Sequence, residues 1–409
     1  MKKAIDLVRL MGALSLCLDF CSRGLDRHHQ RVAFIGLTLA KELGLSAEEV
    51  NLLFVASIIH DSGVSTWRDK YKLEEFDVHN PWEHCRRGYE LLSQVSFLKS
   101  AANIILCHHD RWAGSNPSRR EGCEIPLAAR IIHLCDRVDI LLQPERHILE
   151  QRDEIVQQLD KLSGKIFDPE LVAAFKDVSR RESFWLDLTS PFMLRRLQEL
   201  PAVPVLFIDQ QGLRELAELF AAVIDAKSPF TLRHSYRVSA VAGALAAELG
   251  FSPEEVSKIE IAGLLHDLGK LSVPDNILEK PGPLTHKEFS VMKQHPYYTC
   301  RILEEAGDLQ PITEWASFHH EKLNGQGYPF CKKGPQLSLG ARIIAVSDVF
   351  TALREVRPYR PAMKRPEIEN ILINQASTGA LDTKVVEALL DNYERLEEVW
   401  ARKPLVAVY

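Results

Sequence analysis

The chain has 409 residues, 46% of them hydrophobic and 26% charged, with a formal net charge of −6. These values fit a globular protein with room for two domains of about 200 residues each, and they exclude a fibrous, collagen-like or mainly disordered chain. No global basic field is available to recruit nucleic acid, so an anionic ligand has to be held by local cations or by metal.

The start, Met1-Lys2-Lys3 and the apolar stretch after it, has the outline of a secretory signal. Asp6, Arg9 and Asp19 interrupt that stretch, and no small-x-small cleavage site follows it. No run of about 18 uncharged apolar residues occurs elsewhere, so no membrane span is expected. The eight cysteines contain no C-x-x-C pair, and most sit in apolar stretches such as Ile105-Leu106-Cys107. That usage predicts a reduced, cytoplasmic protein.

Further along, the chain repeats itself. His28-His29-Gln30-Arg31-Val32, Glu42-Leu43-Gly44 and Ile58-Ile59-His60-Asp61-Ser62-Gly63 are answered by His234-Ser235-Tyr236-Arg237-Val238, Glu248-Leu249-Gly250 and Leu264-Leu265-His266-Asp267-Leu268-Gly269. The offset is constant, since 234 − 28 and 266 − 60 both equal 206. Ala129-Arg130-Ile131-Ile132 leads to Asp136 as Ala341-Arg342-Ile343-Ile344 leads to Asp348. We therefore expect two homologous domains, residues 1–200 and 201–409, divided near Pro201-Ala202-Val203-Pro204, where two close prolines disfavour a helix.

The elements read as helices. In the second repeat Val238, Val241, Ala242, Leu245 and Leu249 form an amphipathic stripe, and Gly250 supplies a left-handed stop. Ser252-Pro253-Glu254-Glu255 then opens the next helix as a capping box, with proline at its first position. Gly44 and Ser46-Ala47-Glu48-Glu49 predict the same turn in the first repeat. Val203–Ile208 is the best short strand candidate, and the fold class expected is all-α.

Most histidines fall into one ordered set per repeat. The first holds His28, His60-Asp61, His84, His108-His109 and Asp136; the second holds His234, His266-Asp267, His295, His319-His320 and Asp348. A single inward-facing His is usually an ordinary packed residue. Five imidazoles and two carboxylates recurring twice in one order point instead to metal, with Fe, Mn or Zn suited to such donors. Seven donors exceed the four that one tetrahedral ion takes, and one carboxylate bridging two ions accounts for all of them. Two ions about 3.5–4 Å apart suit an in-line displacement at phosphorus, that is, phosphoester hydrolysis.

These motifs resemble the HD-domain metal-dependent phosphohydrolases. In the second repeat His266-Asp267-Leu268-Gly269-Lys270, His319-His320-Glu321 running to Gly325-Gln326-Gly327-Tyr328-Pro329, and Arg357-Pro358-Tyr359-Arg360 resemble the HD-GYP subfamily, over residues 225–400. That subfamily consists of bacterial phosphodiesterases acting on cyclic di-GMP and, in some members, 3′,3′-cyclic GMP-AMP.

The resemblance implies that His234, His266, Asp267 and Asp348 hold one ion, and that Asp267, His295, His319 and His320 hold the second, with Asp267 bridging. Fe or Mn is the metal expected, with Zn, Ni and Mg as alternatives. Lys270 is implied to meet the scissile phosphate, and Tyr328, Arg357 and Arg360 to hold guanine or phosphate. It further implies a homodimer and a diguanylate-cyclase partner docking at the GYP loop, with neither nucleic acid nor membrane as partner.

Three departures stand out. Phe230 occupies the place where three-metal members carry a Glu, so two ions are expected. Thr351 stands where many members have a second Asp, which leaves the group that orients the ligands open. Asn324 replaces a frequent Asp. The first repeat departs further: Val64 takes the Lys270 place, Glu145 the Arg357 place, and Gly114-Ser115-Asn116-Pro117 carries no Gly-Tyr-Pro. It keeps the ligand set without the substrate-handling set, which suggests a regulatory or structural domain. Two other readings remain open at this level: a phosphohydrolase of another nucleotide, and a non-catalytic cyclic dinucleotide receptor.

Overall fold

A computed structural model describes residues 5–20, 27–64, 81–199, 207–227, 233–307, 309–356 and 360–402. The Pro201–Pro204 boundary, residues 203–206 of the strand candidate, Phe230 and Arg357 lie outside them. The chain divides into two compact units, one spanning Asp6–Ile208 and the other Asp209–Tyr409 together with Met1–Ile5. Nearly every described element is a helix; the strands are Ile5–Asp6 and Phe207–Ile208, paired in a two-stranded sheet. Among the described residues no helix is long and apolar enough to cross a membrane.

The second unit is built around the helix His234–Glu248. It packs against Pro253–Leu265 on one side and Leu339–Arg354 on the other. Val238, Val241, Ala242 and Leu245 are fully buried, as the stripe predicts. The helix ends one residue before Leu249, which serves as its C-cap, and Gly250 follows at φ 84°. Ser252 and Glu255 close the capping box, and Pro253 opens the next helix. The helix Gln294–Glu305 covers the short 3₁₀ turn Leu268–Ser272 and meets Ile312–Ser317.

The first unit repeats this plan. His28–Glu42 packs against Ala47–Ile58 and Leu127–Ile140, and Trp82–Leu92 packs against Lys99–Cys107. Gly44 stands at φ 66°, and Ser46 and Glu49 form the matching capping box. In both units the first ligand opens its helix from a left-handed arginine, Arg27 at φ 67° and Arg233 at φ 72°.

One close approach sets the ligand spacing. A Cβ on Gly269 would collide with the carbonyl oxygen of His295, and one on Gly63 with that of His84. Glycine at this place lets the segment bearing the His-Asp pair lie directly on the helix bearing the next His. The Gly269 N–H donates to Thr299 Oγ1 at 2.9 Å, and the Thr299 hydroxyl donates to the His266 carbonyl at 3.1 Å.

Candidate metal centre

The second unit brings all seven of its expected ligands into one cluster, buried except for the half-buried His320. Each of four imidazoles is turned by a bond to its Nδ1, leaving Nε2 to point inward. His266, His295 and His319 donate Nδ1–H to the carbonyls of Gly263, Met292 and Ala316, each three residues earlier, at 2.7, 2.8 and 2.8 Å. His234 instead meets Glu355 Oε2 at 2.9 Å. An acceptor bonded to Nδ1 settles which nitrogen carries the proton and so which one is free to ligate.

The inward atoms form two sets on either side of Asp267. Asp267 Oδ2 lies 3.2 Å from His266 Nε2 and 3.7 Å from His234 Nε2. Asp267 Oδ1 lies 3.5 Å from His295 Nε2 and 4.0 Å from His319 Nε2. Asp348 Oδ1 completes the first set, 3.2 Å from His234 and 3.9 Å from His266. His320 completes the second with His295 and His319. His234 Nε2, His266 Nε2 and Asp267 Oδ1 are buried without a hydrogen-bond partner. Buried polar atoms left unpaired are costly, and convergent imidazole and carboxylate donors are what a divalent ion would satisfy.

Electrostatics separates the ligands. Burial drives His295 down to about 3 and His319 to about 4, and holds His320 well below its usual value, so all three are neutral donors. Burial also opposes charge on His234, but Glu355 and Asp348 outweigh it and lift that imidazole to about 10. Asp267 and Asp348 stay ionised despite burial: His266 and Lys270 hold the first, and His234 and His266 the second.

The expected substrate residues are placed as follows. Lys270 Nζ lies 2.5 Å from Asp267 Oδ2, at the rim of the cluster. The Tyr328 ring packs on His320 with centroids 4.9 Å apart and planes 34° from parallel, and its edge meets Phe289. Arg360 donates to the Ala352 carbonyl at 2.8 Å, one helical turn beyond Asp348.

Several contributing residues were not picked out from the sequence. Glu355 takes over the role that Thr351 leaves open, accepting from His234 on one oxygen and from Arg237 at 3.0 Å on the other. In the first unit Asp139, one turn after Asp136, does the same for His28 at 2.7 Å and for Arg31. Spacing along one helix could have found Asp139; Glu355 lies past the helix end and gives no such signal. Buried Glu321 accepts from the N–H groups of Phe330 and Lys332 at 2.7 and 2.8 Å, which folds the GYP loop back. Gly327 is more than a turn former, since a Cβ there would collide with the Glu321 backbone.

The first unit assembles a parallel cluster. Asp61 Oδ1 lies 3.5 Å from His84 Nε2 and 3.8 Å from His108 Nε2, and Asp136 Oδ1 lies 3.4 Å from His28 Nε2. Two features are its own. Arg137 donates to Asp136 Oδ2 through Nη2 at 2.7 Å and Nε at 3.1 Å, where the second unit has Val349. Val64, in the place of Lys270, is buried.

Fold and cluster together define a tandem HD-domain protein. Residues 25–141 and 218–385 each match the family described as HD domain. Over 410 residues the chain is 36% identical to the 3′3′-cGAMP-specific phosphodiesterase 1 of Vibrio cholerae serotype O1, covering 96% of this chain and 93% of that one. It is 40% identical over 189 residues to the cyclic di-GMP phosphodiesterase response regulator RpfG of Xanthomonas campestris pv. campestris, covering 46% of this chain and 50% of that one. A crystal structure of a cyclic GMP-AMP-specific phosphodiesterase of V. cholerae superposes with a TM-score of 0.69 at 28% identity, covering 96% of this chain and 98% of that one. The chain belongs to the HD-GYP family of metal-dependent cyclic dinucleotide phosphodiesterases.

Proposed function

We propose that the second domain hydrolyses 3′,3′-cyclic GMP-AMP at a centre of two divalent ions, Fe or Mn, one held by His234, His266, Asp267 and Asp348 and the other by Asp267, His295, His319 and His320. The observation that carries this reading is Asp267, whose two oxygens face different sets of imidazoles. The ions, when bound, supply the positive charge that activates water and steadies the charge developing at phosphorus.

The chain's own residues do the rest. Lys270 holds an ammonium beside the bridging carboxylate, where a phosphate oxygen would meet it. Tyr328, braced on His320, presents an aromatic ring for a base. Arg360 and Arg357 are the guanidinium groups assigned to phosphate or guanine. Relatives that match over nearly their whole length are named for the mixed dinucleotide, which favours that substrate over cyclic di-GMP.

The first domain is assigned a structural or regulatory role, because Val64 offers no cation to a phosphate. The free thiols of the described cysteines fit a cytoplasmic setting. The family reading also carries a homodimer and a diguanylate-cyclase partner at residues 325–329, which sedimentation and a pull-down with purified cyclase test.

The direct test is turnover of cyclic GMP-AMP, cyclic di-GMP and mononucleotides by protein loaded with Fe or Mn. The mixed dinucleotide is expected to give the highest kcat/KM, and Asp267→Ala to abolish hydrolysis and metal retention together. Near-normal turnover by metal-free Asp267→Ala would overturn the mechanism.

A further inference from the structure

The geometry points to a closed, thiolate-bound metal site in the first domain, with Cys85, His84, His108 and Asp61 around a thiophilic divalent ion such as Zn²⁺. This rests on the family's metal dependence and concerns a centre other than the hydrolytic one. Four buried atoms mark the vertices. His84 Nε2 lies 3.2 Å from His108 Nε2, 3.5 Å from Asp61 Oδ1 and 3.7 Å from Cys85 Sγ, and Asp61 Oδ1 lies 3.8 Å from His108 Nε2. A tetrahedral ion with bonds of about 2.0–2.3 Å separates its ligands by about 3.3–3.8 Å. Four of the six edges, at 3.2–3.8 Å, lie close to that spacing before any ion is considered, and His109 lies within 4.8 Å of Asp61, His84 and His108.

The second domain shows what the thiol changes. There the equivalent edges are His295–His319 at 3.2 Å, Asp267–His295 at 3.5 Å and Asp267–His319 at 4.0 Å. The residue after His295 is Pro296, which has no donor atom, so beyond Asp267, His295 and His319 that set gains only His320. The residue after His84 is Cys85, fully buried, and its sulfur, 3.7 Å from His84 Nε2, offers a further donor that the second domain lacks. Catalytic zinc sites keep an open position and structural ones do not. The thiol donates to the Pro81 carbonyl at 3.4 Å, a bond it gives up when it releases its proton to solvent and ligates. Beside this site Arg137 already supplies a fixed positive charge to Asp136. The first domain is thus a mononuclear, thiolate-ligated structural centre within a duplicated fold whose other copy is hydrolytic.

The test uses the full chain carrying His266→Ala and Asp267→Ala, which disables the second centre. Loaded with Zn²⁺, it is expected to retain one ion whose X-ray absorption shows one sulfur neighbour at about 2.3 Å beside nitrogen and oxygen at about 2.0–2.2 Å. With Co²⁺ it is expected to show a thiolate-to-cobalt charge-transfer band in the near ultraviolet. Adding Cys85→Ser should remove the sulfur shell and the band. The absorption measurement on the Cys85-bearing chain does not depend on whether the serine variant folds. A shell of nitrogen and oxygen only, no retained ion, or a sulfur shell that survives Cys85→Ser would each overturn the inference. In the otherwise unaltered chain, Cys85→Ser should leave cyclic dinucleotide turnover within about twofold. Failure of the unaltered chain to hydrolyse any cyclic dinucleotide would count against the second domain's assignment and leave the sulfur result standing.

Discussion

Glu355 is a residue whose role depends on what Thr351 lacks. Its two oxygens hold His234 and Arg237, while buried Thr351 Oγ1 has no partner. Glu355→Gln should leave the fold intact and weaken metal retention about 10- to 100-fold, the usual loss when an outer-shell partner of a ligating His is altered. Adding Thr351→Asp, which restores a carboxylate one turn after Asp348, should recover part of that loss; metal titration by calorimetry reads both. No loss in Glu355→Gln would mean that His234 is oriented by something else.

The same pair gives a pH dependence. With His234 lifted to about 10, a metal ion entering near neutral pH must displace its proton. The protonated form prevails below that value, so affinity should rise with pH, about tenfold per unit for one displaced proton, and level off as pH passes the His234 value. Glu355→Gln removes the main raising influence and should move the plateau to lower pH. An affinity flat between pH 6 and 8 (a span of about two units) would show that His234 is already neutral.

At the scale of elements, the centre exists because segments far apart in sequence are allowed to touch. The 3₁₀ turn after Asp267 lies against the helix that carries His295, with Gly269 at the contact. Gly269→Ala forces its methyl into the His295 carbonyl, a backbone atom that cannot swing aside as a side chain would. The variant should lose about 1–3 kcal/mol of stability or more, the scale of overpacking, and bind fewer ions even where it folds. Thermal unfolding and metal content measure the two effects; an unchanged melting temperature would show that the helix can retreat. Gly250 and the Ser252–Glu255 box work in the opposite direction, stopping one helix and starting the next with local groups alone.

At the scale of the molecule, the two units share a plan, and the proposed function gives hydrolysis to the second. The crossed comparison is a chain with His266→Ala and Asp267→Ala against one with His60→Ala and Asp61→Ala. The first should lose turnover by at least about 10³-fold, as expected when metal activation is removed, and the second should keep it while melting at a lower temperature. Appreciable hydrolysis by the first chain would move the activity to the N-terminal domain.

How far the sequence reaches follows from the range of each interaction. The duplication, the helix starts and stops, and the His and Asp residues that cluster in each repeat were legible because they rest on spacing along the chain: a capping box spans three residues, and an amphipathic stripe shows along one helix. The order of the histidines could be read, but not which oxygen of Asp267 faces which set, because helices remote in sequence decide that. Glu355 in place of Thr351, Arg137 against Asp136, and the Cys85 sulfur beside His84, where the second domain has Pro296, were likewise decided only by tertiary structure. Each involves a side chain that looks ordinary in its own segment and gains a role only when packing brings it within about 4 Å of a buried charge or donor, where the low dielectric makes the encounter matter.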